Sequence, residues 1–396
     1  MFSNSLLVFP PDSCLPDYRG GSILNLMASV SLALGVETAY EPARLFAGDR
    51  LGRKIVLLIV DGLGITHLKA VADGGFLDSH CLGSLTSVVP SATAAAIPVF
   101  LTGEPPARHG FPGWFTWFRE LATAAAILPF ATRAGFMSLT PGSMTPRQLS
   151  QVTPFTEQTE VPSWHITPQR ICRSAFTNDF SSPASVVGYK DMRELIRQTG
   201  KAVSRFRDSG YVYTYWADYD SDAHHYGIGS EQAAEHLRML DEQIEKLALE
   251  LKGQDVDLLV CADHGFTDCP TGLQYVFSEA FPELAEMTQM PLTGEPRLPI
   301  AHLKTGCLDS FIQLATEQLQ GIASPVLSSL AIEEGLLGPG KPHPELRNRL
   351  GDVLLLMHEN TVIFDPLGGE FPPDIIGHHG GLSREEMLVP LIHIHC

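Results

Sequence analysis

Cysteine is scarce in this chain and falls in no pattern. The seven, Cys14, Cys81, Cys172, Cys261, Cys269, Cys307 and Cys396, are scattered and odd in number among 396 residues, with no CxxC pair. That excludes a disulfide framework and a thiolate zinc site. Basic residues are also few: 27 Lys and Arg stand against 45 Asp and Glu, a net charge of −18. Such a surface repels nucleic-acid backbones and anionic lipid, so neither duplex nucleic acid nor a membrane is expected as a partner. An acidic chain still binds a small phosphate ester where metal ions supply the local positive charge. No run approaches the ~18 apolar residues of a membrane span. The opening MFSNSLLVFPPDS has neither the basic region nor the long apolar region of a secretory leader. These absences point to a reducing cytoplasm. No motif assigns an oligomeric state.

What is present is a globular composition, 44% hydrophobic and 18% charged, with a recurring local pattern. LGRKIVLLIVDGLG reads as a buried strand, Ile55 to Val60, broken by Asp61 and Gly62. SLTSVVPSATAAAIPVFLTG reads as an extended piece up to Pro90 and then a helix ending near Gly103. Residues 104–180 are rich in Pro, Gly, Thr and aromatics and give only loops and short elements. ASVVGYK and YVYTYWAD read as strands, with a helix over DMRELIRQT between them. Leu237, Leu240, Ile244, Leu247 and Leu251 step by three and four, so Ser230 to Lys252 is a helix with one apolar stripe. DVDLLVCAD returns as a strand. This alternation predicts an α/β fold with a mainly parallel central sheet flanked by helices. The texture changes at 271–364, which reads as a small α+β cap insertion. The catalytic core is then 1–270 and 365–396.

Carboxylates and imidazoles follow four of these strands or turns: Asp61, then Asp220 and His224, then Asp263 and His264, then His378 and His379. Adjacent strand residues point to opposite faces. Asp263 and His264 can therefore serve one site only beyond the end of their strand, at the sheet edge where open α/β folds bind ligands; Gly265 would let the backbone turn there. Asp220 and His224 are one helical turn apart and share a face. Taken singly, each is ordinary turn or surface chemistry. Together they are enough for two divalent ions, zinc by donor type with manganese the alternative. Two ions about 3.5–4 Å apart can clamp the attacking and leaving oxygens at phosphorus. PSATAAA supplies a hydroxyl at a helix start, where an anion is stabilised. Ser91 and Thr93 both qualify there, as nucleophile or as N-cap.

The order Asp61, Thr93, Asp220-x-x-x-His224, Asp263-His264, His379-Gly380 resembles the alkaline phosphatase superfamily. Within it, the chain is similar to the type I phosphodiesterase/nucleotide pyrophosphatase family, in bacterial forms with a short cap. The run Thr102-Gly103-Glu104-Pro105-Pro106-Ala107-Arg108-His109-Gly110 matches a family element, and so does Asp220-Ser221-Asp222-Ala223-His224. The resemblance covers roughly 50–270 and 365–396. It implies one ion on Asp220, His224 and His379, and another on Asp61, Thr93, Asp263 and His264, with Thr93 as nucleophile. It also implies that His109 is structural. The Cys/Ser-x-Pro-x-Arg setting of sulfatases is missing around Thr93. One departure stands out: where nucleotide-cleaving members carry Asn after the His-Gly element, this chain reads Gly110-Phe111-Pro112-Gly113-Trp114, whose Trp114 can donate its indole N–H, stack on a base, or only pack.

The expected function is a two-metal hydrolase of small phosphoric esters or nucleotides, a phosphodiesterase/nucleotide pyrophosphatase acting through a covalent phosphothreonine. The alternatives are a phosphomonoesterase or phosphomutase, for which Arg108 and Arg119 are the nearest cationic clamps, and a catalytically silent metal- or nucleotide-binding protein.

Overall fold

Six consecutive buried aliphatic residues, Ile55 to Val60, lie in the strand Lys54–Val60 at the middle of a sheet. This strand pairs in parallel with Gly210–Trp216 on one side and Asp257–Cys261 on the other. A strand covered on both faces is apolar throughout rather than alternating. The structure is a computed structural model describing residues 8–46, 51–139, 144–368, 370 and 374–396. Residues 1–7, part of the opening segment read for a leader, lie outside the described residues. Among the described residues no helix is long and apolar enough to cross a membrane.

The sheet runs 81–86, 388–395, 257–261, 54–60, 210–216, 163–168, 185–189 across its seven strands. Leu388–His395 is antiparallel to both its neighbours. The fold is therefore α/β with a mixed sheet flanked by helices: four of its six pairings are parallel, as the strand–helix alternation predicts, and the two antiparallel ones are both made by Leu388–His395. The reason is where the chain re-enters. It comes back at the carboxyl edge through the short helix Arg384–Met387 and must run down the sheet from there. The helix Glu231–Leu251 forms as its stripe predicts: the Ser230 side chain accepts from Ala233 N–H at 3.1 Å, and Leu237, Leu240, Ile244, Leu247 and Leu251 are buried.

A second seven-stranded sheet is antiparallel at every pairing, in the order 323–327, 353–357, 298–301, 293–295, 115–118, 123–126, 131–132. It is thus not confined to 271–364. Phe115–Phe118, Thr123–Ala126 and Ala131–Thr132 are too short and too poor in large aliphatics to carry a strand signal. Val353–Met357 alternates between two cores. Leu354 and Leu356 join Leu298 and Val326, while Val353 and Leu355 join Phe277 and Phe311.

Two fully buried arginines tie this sheet to the elements around it. Arg349 reaches the carbonyls of Gly110 and Leu149, at 2.8 and 2.7 Å, and lies 4.8 Å over the Phe118 ring. Arg297 makes a two-pronged pair with Glu386, Nε to Oε1 at 3.0 Å and Nη2 to Oε2 at 2.7 Å. Burial alone would raise the Glu386 carboxyl. The Arg297 charge and fork outweigh it, with the Gly381 N–H and Ser383 hydrogen bonds, and hold the carboxyl below its ordinary value. Arg297→Met should cost about 3–5 kcal/mol in urea unfolding at pH 7, because a buried carboxylate is left uncompensated. Adding Glu386→Gln should recover more than half. A lowered folded value means that this stability is present above the unfolded value of about 4.3 and is lost as pH falls through the folded one. The gap between wild type and Arg297→Met should therefore close in acid.

Candidate metal centre

The site residues gather at the carboxyl edge of the larger sheet, all but His379 on segments that follow its strands. Asp61 follows Lys54–Val60, and the turn after it needs Gly62, whose φ is +78° and whose Cβ would meet Phe266 Cε2 at 2.4 Å. Asp263 and His264 follow Asp257–Cys261, past the end of the pairing. Gly265 is required there by close approach rather than by a left-handed turn: a Cβ would lie 2.0 Å from the Glu385 carbonyl and 2.8 Å from Gly64 Cα. Asp220 and His224 lie one turn apart in the helix Asp218–Tyr226, which follows the strand Gly210–Trp216. Gly377–His378 pairs antiparallel with Thr267–Asp268 and delivers His379. Thr93 is the first residue of the helix Thr93–Thr102 and does not cap it, since the N-cap is Ala92.

These residues converge in two groups. Ligand atoms of Asp220, His224 and His379 lie within 4.8 Å of one another, as do those of Asp61, Asp263 and His264. The groups adjoin, with the His264 and His379 rings stacked at 3.8 Å. All three imidazoles point Nδ1 at a backbone carbonyl: His264 at Gly265 (3.0 Å), His224 at Gly377 (2.8 Å), His379 at Ser91 (3.3 Å). A carbonyl accepts only, so each Nδ1 carries the proton and each Nε2 keeps a lone pair for the site, the arrangement seen around metal-ligating histidines. The His379 and His224 Nε2 atoms face each other at 3.2 Å. Two lone pairs at that distance call for a cation between or beside them.

The carboxylates make the same demand. Asp220 Oδ1 and Asp263 Oδ2 are buried with no hydrogen-bond partner. Asp263 spends its other oxygen on the N–H groups of Gly62 (3.2 Å) and His264 (3.1 Å). Asp61 Oδ2 accepts from the Tyr215 hydroxyl, while its Oδ1 lies 3.3 Å from His264 Nε2. Burial, then the charges of Asp220 and Asp263, push the Asp61 carboxyl well above its ordinary value. Asp220 is raised too, by burial that His224 and His264 only partly offset. His379 is held well below the ordinary imidazole value by burial and then by His264 and His224. Unpartnered carboxylate oxygens and imidazole lone pairs in two neighbouring groups form a donor set that fits two divalent ions.

Thr93 Oγ1 stands 3.1 Å from His264 Nε2 and 3.5 Å from Asp61 Oδ1. Ser91 is turned away, its hydroxyl donating to the Gly381 carbonyl at 2.7 Å. His378 lies beside the groups rather than in them, and buried His109 meets the Ala95 carbonyl at 3.0 Å. Arg108 and Arg119, the cationic clamps that a monoester would call on, pair instead with Glu104 (3.5 Å) and Glu345 (2.8 Å), and neither lines a cavity at the site.

Two cavities open beside Thr93, of about 450 and 420 Å³. Both are lined by Thr93, Trp114 and Asp220. The first adds Asp61, His165, Tyr213 and Arg170; the second adds His224, His379, Glu295 and Arg133. Sequence reasoning missed Tyr215, His165, Arg170 and Glu295. Tyr215 had a signal, since it lies in a predicted strand one residue from its end. Glu295 had none, because it comes from the second sheet. It is 6% exposed, and its Oε1 accepts the Trp114 backbone N–H at 2.6 Å. Burial raises its carboxyl to about 8 despite that bond.

A search of curated proteins by sequence returns no match. Among solved structures, murine ectonucleotide pyrophosphatase/phosphodiesterase 5 is 16% identical over 85% of this chain and 87% of its own, with a TM-score of 0.63. The human counterpart is 15% identical over 86% and 87%, with a TM-score of 0.64. Phosphonoacetate hydrolase from Sinorhizobium meliloti, in complex with phosphonoformate, is 17% identical over 87% and 91%, with a TM-score of 0.63. These likenesses establish the alkaline-phosphatase-like fold. Residues 55–382 match the family described as type I phosphodiesterase / nucleotide pyrophosphatase, and across that span, most of its length, the chain belongs to this family.

Proposed function

We propose that the protein is a two-metal phosphodiesterase that transfers a phosphoryl ester to Thr93 and then to water. The observation that carries this reading is the Thr93 hydroxyl, 3.1 Å from His264 Nε2 at the edge of a cluster with two orphaned carboxylate oxygens. Asp61, Thr93, Asp263 and His264 would hold one ion, and Asp220, His224 and His379 the other. Zinc suits this donor set, with manganese as the alternative. Bound ions supply the charge that lowers the hydroxyl pKa and offsets the phosphoryl oxygens. The chain's own groups do the rest. His264 and Asp61 orient the Thr93 oxygen, and the backbone N–H groups opening Thr93–Thr102 face the incoming anion. The P–O bond to the leaving group breaks as the Thr93–O–P bond forms, the Thr93 hydroxyl proton passing to solvent and the departing alkoxide taking one from it; water later cleaves the Thr93–O–P bond and returns the hydroxyl.

Diesters fit better than monoesters. A monoester dianion needs cationic partners beyond the ions, and Arg108 and Arg119 are committed elsewhere. The two cavities meeting at Thr93 offer one place for each substituent. An AMP complex is described for an inactive threonine-to-alanine variant of the murine relative, which supports nucleotides as one substrate class. Seven free thiols support a reducing compartment, and the second sheet, with 271–364 as its larger part, is read as a cap.

Metal-free protein should bind two equivalents of Zn²⁺ in isothermal titration, and His379→Ala and His264→Ala should each bind one; undiminished stoichiometry in both variants would contradict the ligand sets. Thr93→Ala should cut kcat by at least 10³-fold with folding intact, while Thr93→Ser keeps measurable turnover; normal turnover in Thr93→Ala together with loss in Ser91→Ala would move the nucleophile. For matched aryl esters, kcat/KM should favour the diester about ten-fold or more, some 1.4 kcal/mol. A monoester preference of that size would overturn the diesterase reading.

A further inference from the structure

Thr93 belongs to the side of the site held by Asp61, Asp263 and His264. An in-line displacement sends the leaving group away from the nucleophile, toward Asp220, His224 and His379. His224 and His379 line the second cavity and not the first, while Asp61 lines the first and not the second. The second cavity therefore takes the leaving alcohol, and the first keeps the substituent that stays on phosphorus.

The second cavity contains a polar group with no assigned task. Glu295 is 94% buried by its 6% exposure, one oxygen is fixed by the Trp114 N–H, and its Oε2 has no hydrogen-bond partner among the described residues. Farther along, Asp365 and Arg133 line the same space between Phe115 and Phe364. Arg133 is already engaged, with its two Nη atoms on the carbonyls of Leu292 and Asp365 and an ion pair to Glu370 at 3.5 Å. Asp365 Oδ2 accepts the Leu292 N–H at 2.8 Å. The unspent capacity of this pocket is mostly acceptor, set on aromatic walls.

We infer that Glu295 in its carboxylate form selects the leaving group, favouring an alcohol that carries a hydrogen-bond donor, hydroxyl or ammonium, over one that ends in an anion. This rests on the reading of Thr93 as nucleophile and deepens it. It separates small polar alcohol esters from substrates that would place a phosphate or carboxylate tail in this cavity, where Asp365 and Glu370 face Arg133 and a buried carboxylate stands between tail and site.

The test uses four methyl phosphodiesters bearing 3-hydroxypropyl, 3-ammoniopropyl, butyl or 3-carboxypropyl, followed by phosphorus NMR at pH 9, where Glu295 is ionised. The hydroxyl and ammonium arms tell the two donor sources apart. For at least one of them kcat/KM should exceed butyl about five-fold and carboxypropyl about twenty-fold. Glu295→Leu should compress the donor-to-butyl ratio below two-fold, and Glu295→Gln, the conservative check should the Leu variant unfold, should lose the ammonium preference. A ratio that survives both substitutions, or a carboxypropyl ester that is best because Arg133 Nε receives its tail, overturns the assignment. Thr93→Ala is run beside them: turnover there indicts the nucleophile, whereas a dead Thr93→Ala with a flat alcohol series indicts Glu295 alone.

Discussion

Two buried carboxylates, Asp61 and Asp263, and the partly buried Asp220 converge at one sheet edge with three imidazoles and no lysine or arginine among them. Uncompensated, such a cluster is among the costliest features a fold can hold, since each buried charge lacks both water and a counter-charge. The structure spends much of its local detail on keeping it assembled. Tyr215 donates to Asp61, backbone N–H groups hold Asp263, and three carbonyls fix the imidazole tautomers. Each of these contacts uses the atom turned away from the site and leaves the other facing it, and Asp220 and Asp263 each keep an oxygen there that has no partner. A constellation built only for stability would have paired those atoms with each other or with a base. One built to bind cations leaves them as they stand.

The second sheet completes what the first begins. It reaches the site through the segment around Glu295, whose carboxyl takes the Trp114 N–H, and it is locked to the core by Arg297 and Arg349. Trp114 lines both cavities, and under the proposed function it would stand between the two ester substituents.

Much of the site was legible in the sequence because its residues sit at strand ends, where an apolar run followed by Asp-Gly or Asp-His-Gly is a local signal. The i,i+4 spacing of Asp220 and His224 was equally local. The choice of Thr93 over Ser91 was not: both are hydroxyls at one helix start, and only the path of the chain turns Ser91 toward Gly381. The antiparallel return of Leu388–His395 was hidden, since strand direction depends on where the chain re-enters and not on its composition. The 115–132 strands were hidden too: they are short ladders paired with one another, and what joins them to the rest of the sheet is the distant pairing of Phe115 with Gly294. Glu295 was lost for the same reason: a lone Glu between Gly and Pro means nothing until the sheet carrying it is placed against the core.

In the proposed reaction Thr93 becomes covalently bound to phosphorus. Acid quench of the metal-loaded protein in the first turnovers of an aryl methyl phosphodiester, followed by peptide mass spectrometry, tests it most directly. A methyl phosphoryl group is expected on the peptide containing Thr93, located at that residue by fragmentation, formed in a burst with the aryl alcohol and missing in Thr93→Ala. A burst of alcohol with no modified peptide, or the group on Ser91, would contradict it.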